Sequence, residues 1–363
     1  MQACGNDSSS SSSDDEEEKT PGSLYMVGSD YKTGEIRWME NDTVSEKSLE
    51  IYQDTKLVTV GSRLFALERS GSDNIALIDT RENKVSWEIA LDDYSNPTDI
   101  VAASDNEAWV ALEGADSLVK VSLADGKIVK SVKTTSFISE GGYSPNLVDL
   151  EVSGDTLYAI CQRYISNYDE DGNWAGTTYP KGLLVLFSLK DGELLDTIQL
   201  AMKNPSAVAV VNGEVFVASM GEYNASYGTD ADDERGIEKV DIAEKTSKLY
   251  VSGEKIGAGV YNLAVDYKAG IVYAVAYKGM DMTTYATSAP VVKIDLADGS
   301  VEEIKGIDDA EGGMAIDAAT GMLYVGDRTY GASAVYTYDG ETVNKVPSAD
   351  EKALAPYSLA IVK

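Results

Sequence analysis

Three segments of this chain combine aromatic residues with short polar and acidic side chains. They are residues 162–182 (QRYISNYDEDGNWAGTTYPKG), 220–236 (MGEYNASYGTDADDERG) and 277–290 (YKGMDMTTYATSAP). Rigid rings stack on sugar faces or apolar side chains, while neighbouring carboxylates and amides hydrogen-bond to hydroxyl groups. The segments therefore predict ligand recognition, and the alternative is that their rings only pack on one another. The candidate ligand-binding residues are Tyr164, Tyr168, Trp174, Tyr179, Tyr223, Tyr227, Tyr277 and Tyr285, with Tyr330 from the shorter segment DRTYGAS at 327–333.

Part of the first segment resembles the beginning of a calcium-binding loop. Asn167, Asp169 and Asp171 occupy alternate positions before Gly172, and Ca²⁺ prefers such oxygen ligands. The twelfth position is Thr178, where a calcium loop has a bidentate glutamate. These three residues are candidate Ca²⁺ ligands, and a metal-free acidic turn is the alternative. No other cofactor is expected.

Composition argues against several functional classes. The chain has 363 residues and no histidine, which removes histidine-dependent triads and histidine-ligated zinc or haem. The formal charge is −31, and only −5 of it belongs to the first 19 residues. This charge repels phosphate backbones, so no nucleic-acid partner is expected. No familiar catalytic motif occurs, no catalytic residue is predicted, and Cys161 is interpreted as a small buried hydrophobic residue.

The elements that would carry these segments form a repeat. An apolar residue followed by an aromatic and a small or apolar pair recurs seven times, as in LYVG at 323–326. A short apolar strand precedes six copies, and paired strands follow, often joined by Asp-Gly. Asp-Gly is typical of two-residue hairpin turns in which both residues have positive φ. Four antiparallel strands roughly every 40–60 residues predict an all-β, seven-bladed β-propeller. The repeated aromatics, interpreted as core between blades, are Tyr25, Phe65, Trp109, Tyr158, Phe216, Tyr273 and Tyr324.

The two ends of the repeat complement each other. The first aromatic copy has no inner strand before it, whereas PYSLAIVK at 356–363 is an inner strand with no blade after it. Residues 357–362 are therefore predicted to complete the blade formed by residues 23–52, which removes the open edge of the ring. In such a ring the connections between second and third strands share one face. The three aromatic segments are three consecutive connections of this kind, so they are predicted to crowd one sector of that face.

The repeat resembles a known family. LYVG, VYAVAY and VFVAS, with following segments such as DLADGS and SLADGK, resemble the strand–loop–strand repeat of the YVTN family of seven-bladed, WD40-like propellers. The resemblance covers about residues 22–363 and implies the fold. It implies little about function, because propellers host many activities.

The first 21 residues predict a lipid-anchored tether. Ala3-Cys4-Gly5 followed by a serine run and acidic residues resembles the maturation site of a bacterial lipoprotein, with Cys4 as the acylated residue. The low-complexity stretch is expected to be disordered and extended by its own charge. The predicted location is the bacterial cell envelope, on the periplasmic or the surface side of the outer membrane.

Two functional classes remain open from the sequence. The first is a non-catalytic binding or scaffold propeller that takes a glycan or an extracellular or periplasmic protein through the aromatic segments. The alternative is a propeller enzyme, a lactonase-like hydrolase or a quinoprotein-like oxidoreductase, in which carboxylates hold a divalent ion that activates water.

Overall fold

The chain forms a seven-bladed β-propeller, as the repeat predicts. The computed structural model describes residues 22–224, 227–229 and 234–363, and the seven antiparallel sheets of these residues form a ring. The predicted lipidation site Cys4 and its tether lie outside the described residues. Helical structure in the described part is limited to the short segments Thr135–Phe137, Gly253–Ile256 and Ala310–Gly312. None of these is long or apolar enough to cross a bilayer.

The blades are numbered along the chain, and each strand is given with its bounds. Blade 1 contains Ser23–Ser29, Gly34–Glu40, Thr43–Val44, Leu49–Ile51 and Pro356–Val362. Blade 2 contains Thr55–Val60, Arg63–Glu68, Asn74–Asp79 and Lys84–Ala90, and blade 3 contains Pro97–Ala102, Glu107–Leu112, Ser117–Ser122 and Ile128–Lys133. Blade 4 contains Leu147–Ser153, Thr156–Cys161, Lys181–Ser188 and Leu194–Lys203, and blade 5 contains Pro205–Val211, Glu214–Ser219, Gly236–Asp241 and Thr246–Ser252. Blade 6 contains Gly259–Asp266, Ile271–Tyr277, Val291–Asp295 and Val301–Glu303, and blade 7 contains Met314–Asp317, Met322–Asp327, Ala334–Tyr338 and Val343–Lys345. Two small hairpins project from connections, Ile165–Tyr168 with Trp174–Thr178 and Gly279–Met280 with Thr287–Ser288.

The predicted closure of the ring is confirmed. Strand Pro356–Val362 pairs antiparallel with Ser23–Ser29, and Tyr25 lies opposite Ala360. Blade 1 is thus built from residues more than 300 positions apart. Near the closure the Arg328 guanidinium donates 2.7 Å to the Pro356 carbonyl and packs over the rings of Tyr31 and Tyr357.

The repeated aromatics occupy the interfaces between blades, as predicted. Seven apolar clusters of the described residues each join two neighbouring blades, and each contains one of these rings. Phe65 and Trp109 are fully buried, while Tyr158 and Tyr324 are partly buried. Polar atoms of the rings reach the next blade, because Tyr25 Oη donates 3.1 Å to the Thr80 carbonyl and Trp109 Nε1 donates 2.7 Å to the Leu189 carbonyl. The aromatic register therefore fixes the spacing between sheets.

The Asp-Gly turns differ from the predicted two-residue type. Only the glycine has positive φ, as in Gly192 at 69°, while the preceding aspartates keep negative φ. The Gly192 N–H donates 2.8 Å to the Ser188 carbonyl, which closes a longer turn. A Cβ on Gly192 would lie 2.7 Å from the Trp109 ring. Glycine is thus required here both for its backbone angle and for room beside the aromatic of the preceding blade.

Hydrogen bonds between first strands hold the blades together near the axis. Ser358 Oγ accepts 2.9 Å from the Leu57 N–H, Asp99 accepts 3.0 Å from the Leu150 N–H, and Asp149 accepts 2.8 Å from the Val208 N–H. Each bond joins a blade to the next one in the ring. These bonds hold the first strands of blades 1 to 5 beside the central axis.

Candidate binding site in the axial cavity

A cavity of about 470 Å³ lies on the propeller axis. All seven blades contribute to it. The contributing residues lie at the start of the innermost strand of each blade, which in blade 1 is Pro356–Val362, or directly before that strand. These contributions include Tyr357, Lys56, Thr98, Asp149, Ser206, Asn262 and Gly313. Other lining residues come from the connections between second and third strands, so the cavity lies at the face that carries the long aromatic segments. Its lining combines tyrosine rings, hydroxyls, amides and both signs of charge.

One side of the cavity is a network of ionic and polar side chains, here called the hydrogen-bonded wall: Asp54, Arg69, Glu113, Tyr164 and Tyr357. Arg69 pairs with Asp54 at 2.6 Å and donates to the Tyr357 hydroxyl at 3.2 Å. The Tyr357 hydroxyl in turn donates 2.7 Å to Asp54. Tyr164 donates 3.0 Å to Glu113, which also accepts from the Asn96 amide.

The carboxylates of this wall have opposite pKa shifts. Burial alone would raise the pKa of Asp54, but the Arg69 guanidinium and hydrogen bonds from Tyr357 and Arg69 hold it below its usual value. Burial raises the pKa of Glu113, and the Tyr164 hydrogen bond and the charge of Arg69 offset only part of this. Arg69 thus neutralises Asp54 more fully than Glu113.

A second part of the lining is formed by tyrosine rings, here called the aromatic wall: Tyr179, Tyr223 and Tyr261, with Tyr277 packed behind them. Their ring centroids lie 6.1 Å apart for Tyr179 and Tyr223, 6.2 Å for Tyr223 and Tyr277, and 6.0 Å for Tyr261 and Tyr277. Tyr277 is 6% exposed and backs the wall, whereas Tyr261 is 42% exposed because it faces the cavity. Burial raises the pKa of Tyr277 to about 12 and also raises that of Tyr261. The exposed surface of Tyr261 faces the cavity, which protein surrounds. The side chain is therefore accessible to a small molecule although its surroundings are poor in water.

Glu311 adds a carboxylate to the aromatic wall. It lines the cavity, and its charge is close enough to raise the pKa of Tyr223, Tyr261 and Tyr277. Burial raises the pKa of Glu311 itself, and the Asp309 carboxylate adds to this.

The turn that carries Glu311 is held from both sides. The Ala310 N–H donates 2.8 Å to the Ala289 carbonyl, and the Arg328 N–H donates 2.8 Å to the Asp309 carbonyl. A Cβ on Gly312 would lie 2.5 Å from the Gly326 carbonyl oxygen, so the turn packs directly on a strand of blade 7. The backbone position of Glu311 is therefore set by these contacts.

Asp149 lies between the two walls. Burial raises its pKa well above the usual value, and the neighbouring Asp99 carboxylate raises it further. Lys56 is the cation that offsets part of this effect. The interior of the cavity therefore favours a protonated carboxyl at Asp149.

The candidate ligand-binding residues divide into two groups. Tyr164, Tyr179 and Tyr223 line the cavity, and Tyr277 packs behind them. The remaining five are exposed and do not line it. They are Tyr168, Trp174, Tyr227, Tyr285 and Tyr330. Tyr168 and Trp174 pair at the tip of the hairpin in 162–182, and Tyr330 is 96% exposed.

The candidate calcium ligands form a hydrogen-bonded turn. Asp169 accepts 3.0 Å from the Asp171 N–H and 2.8 Å from the Asn173 N–H, and Asn167 donates 3.0 Å to the Thr178 hydroxyl. The Asn173 hydrogen bonds lower the pKa of Asp169. Among the described residues, no group of three or more cysteine and acidic side chains has a geometry that could hold a metal ion. The acidic turn accounts for the contacts seen here, and binding of Ca²⁺ stays a prediction.

Several cavity residues lie outside the three aromatic segments. Arg69 and Glu113 directly follow the second strands of blades 2 and 3, at the positions that Gln162 and Met220 occupy in blades 4 and 5. In blades 2 to 5 the residue after the second strand is therefore a sequence signal for the cavity. Glu311 has no such signal. Cys161 is buried with its thiol pKa raised to about 12 by burial, as expected for a core residue.

Comparison with known proteins supports the fold. No protein-family model matches the chain, and no curated protein matches it. A chain of hydrazine synthase from Kuenenia stuttgartiensis has a TM-score of 0.58 at 16% identity, covering 86% of this chain and 91% of that one. A functionally unknown protein from Desulfotomaculum acetoxidans has a TM-score of 0.57 at 13% identity over 94% and 99%. Virginiamycin B lyase from Staphylococcus aureus has a TM-score of 0.51 at 13% identity over 82% and 86%. At these identities the similarity shows the propeller fold alone.

Proposed function

We propose that this chain is a non-catalytic binding propeller whose axial cavity takes a small glycan. The observation that supports this is the lining of the cavity, where tyrosine rings stand beside hydroxyl and amide side chains from five of the seven blades. Tyrosine stacks on a sugar face and also donates or accepts hydrogen bonds, and the surrounding Ser, Thr, Asn and Gln side chains match sugar hydroxyls. Pre-formed walls avoid the entropy cost of ordering protein side chains when the ligand binds.

The test is binding of an oligosaccharide panel to the full chain by isothermal titration calorimetry. Tyr223→Ala should weaken binding by about tenfold or more, because it removes a ring that borders the cavity. Trp174→Ala and Tyr330→Ala are matched controls on the same face and should leave affinity unchanged. If the controls abolish binding and Tyr223→Ala does not, the ligand uses the exposed loop tips and the axial site is refuted.

The proposal includes display on the bacterial envelope through a lipid on Cys4. Each buried CH₂ contributes about 0.8 kcal/mol, so several acyl chains would anchor the chain firmly. Mass spectrometry of the protein expressed from its complete reading frame should find acyl chains on Cys4 and none in Cys4→Ser. An unmodified Cys4 would exclude the anchor and leave the cavity proposal intact.

An enzyme is the second candidate. Glu113 and Glu311 lie in a cavity with raised pKa values, a property of general acids. A panel of lactones and glycosides, tested with added Ca²⁺ and with chelator, would reveal turnover that is lost in Glu113→Gln or Glu311→Gln. Binding without turnover would reject this candidate.

A further inference from the structure

Building on the proposed role of the axial cavity, we infer that its ligand carries a cationic nitrogen, which lies against Tyr223 and Tyr261 with Glu311 as its counter-charge. An amino sugar with a free amino group meets this requirement together with the hydroxyl-rich lining. The inference concerns the charge of the ligand, and the proposed glycan site does not depend on it.

The aromatic wall provides the first element of such a site. A cation is attracted to the face of an aromatic ring, and the attraction grows when water is excluded. Tyr223 and Tyr261 both line the cavity, and both contact Tyr277 behind them. This packing fixes the rings, so a cation would meet a preformed surface.

Glu311 provides the second element. Its carboxylate lies in the cavity beside these rings. The Thr287 hydroxyl hydrogen-bonds to Glu311 and offsets part of the rise in its pKa, but the same hydroxyl also donates to Asp309, so its one proton is shared between two carboxylates. Burial destabilises the ionised form of Glu311, and a bound ammonium group would compensate that cost.

The cation nearest to Glu311 is already engaged elsewhere. The charge of Arg328 lowers the pKa of Glu311 in part. The Arg328 guanidinium, however, lies 4.9 Å from the Tyr31 ring centroid and 5.3 Å from that of Tyr357, and it donates to the Pro356 carbonyl. It is therefore held in the blade 1 closure. Arg69, whose charge offsets part of the rise in the pKa of Tyr261, is likewise paired, with Asp54.

Glu113 is the matched contrast in the same cavity. It too is a carboxylate whose pKa is raised by burial, but it accepts hydrogen bonds from Tyr164 and Asn96 and lies near Arg69. Its partners come from the protein itself. A ligand cation therefore gains more beside Glu311 than beside Glu113.

The experiment compares two trisaccharides that differ in charge. They are β-1,4-linked triglucosamine and cellotriose, which have an amino group, protonated in part at neutral pH, and a hydroxyl group, respectively, at the same carbon of each ring. Affinity for the full chain is measured by calorimetry at neutral pH and physiological salt. Choline and its neutral analogue 3,3-dimethylbutan-1-ol form a second pair with the same test.

The charged member of each pair should bind about tenfold more tightly, as one desolvated cation–π contact with a carboxylate partner allows. Glu311→Gln should reduce that preference to about twofold or less, with affinity for the neutral member retained. Glu341→Gln removes the same unit of charge from an exposed side chain outside the cavity and should keep the preference, which separates the local site from attraction to the net charge of −31.

Equal affinity for the two members of each pair would overturn the cation site and leave the glycan site standing. Equal loss of preference in the two glutamine variants would also overturn it, because long-range attraction would then explain the result. If no member of either pair and no sugar of the wider panel binds at millimolar concentration, both the cation site and the proposed function fail.

Discussion

The two walls of the axial cavity use polar groups in opposite ways. In the hydrogen-bonded wall, Arg69 pairs with Asp54, and Glu113 accepts from Tyr164 and Asn96. In the aromatic wall, Glu311 stands among tyrosine rings in a rigid turn. The first arrangement satisfies its charges with donors of the protein, whereas Glu311 shares the single Thr287 proton with Asp309 and has its pKa raised by burial. The difference suggests that the first wall mainly stabilises the ring and the second mainly recognises a ligand.

The largest effect on stability is expected from Arg69→Met. This change leaves Asp54 without its cation and Glu113 without a compensating charge, and we expect a loss of about 2 kcal/mol in the free energy of unfolding. Urea unfolding monitored by circular dichroism measures it. Lys127→Met, which breaks an exposed pair with Asp125, is the control and should cause no measurable change. Equal stability of the two variants would show that the Arg69 network is not structural.

Asp149, which also lines the cavity, should make the free energy of unfolding depend on pH. The folded pKa of Asp149 lies above its unfolded value because of burial and Asp99. The contribution of protonated Asp149 to the free energy of unfolding is therefore complete below the pKa of the unfolded state. It is lost as the pH rises through the pKa of the folded state. Asp149→Asn keeps an acceptor for the Val208 N–H. As the pH rises from 5 to 8, its free energy of unfolding should increase by about 1 kcal/mol relative to that of the unmodified chain. A constant difference across this range would contradict the raised pKa.

A smaller effect is expected from Tyr357→Phe in the hydrogen-bonded wall. The change removes a donor to Asp54 and an acceptor for Arg69 while keeping the ring. We expect a loss of about 1 kcal/mol in unfolding free energy and little change in the preference for charged trisaccharides. A lost preference with unchanged stability would reverse the roles assigned to the two walls.

The smallest effect on stability is expected from Tyr261→Leu in the aromatic wall. Because this ring faces the cavity, its removal should change the free energy of unfolding by only about 0.5 kcal/mol. The preference for triglucosamine over cellotriose should nevertheless fall several-fold. A variant that unfolds readily yet keeps the preference for triglucosamine would place Tyr261 in the core of the propeller.

The fold was predictable because its signals are repeated and local. Tyr25, Phe65 and Trp109 recur at the same point of a strand, and a buried interface constrains that point in every blade. The missing inner strand before Tyr25 and the unpaired strand at 356–363 predicted the closure. The two-residue turn predicted at Gly192 was wrong. A longer turn and the Trp109 ring determine the geometry there, and the Asp-Gly pair carries no information about either.

The site was predictable only in part. Tyr164, Tyr179 and Tyr223 reach the cavity because connections between second and third strands share one face. Tyr285 and Tyr330 lie on similar connections, but they point into solvent, and composition does not separate the two cases. Contacts such as that of Arg69 with Tyr357 join residues 288 positions apart, so they follow from ring closure and have no local signal. Glu311 was missed because it lies in a short turn between blades.

The closing strand also sets the order in which the molecule can mature. Tyr357 and Ser358 border the cavity, and their strand follows blades 2 to 7 in the chain, so it is synthesised after them. Blades 2 to 7 can form sheets during translation, but the hydrogen bond from Leu57 to Ser358 and the pairing with Ser23–Ser29 must wait for it. A nascent or prematurely terminated chain would therefore present an unsealed ring to proteases and chaperones, and ligand capture would be restricted to molecules whose synthesis has reached this strand.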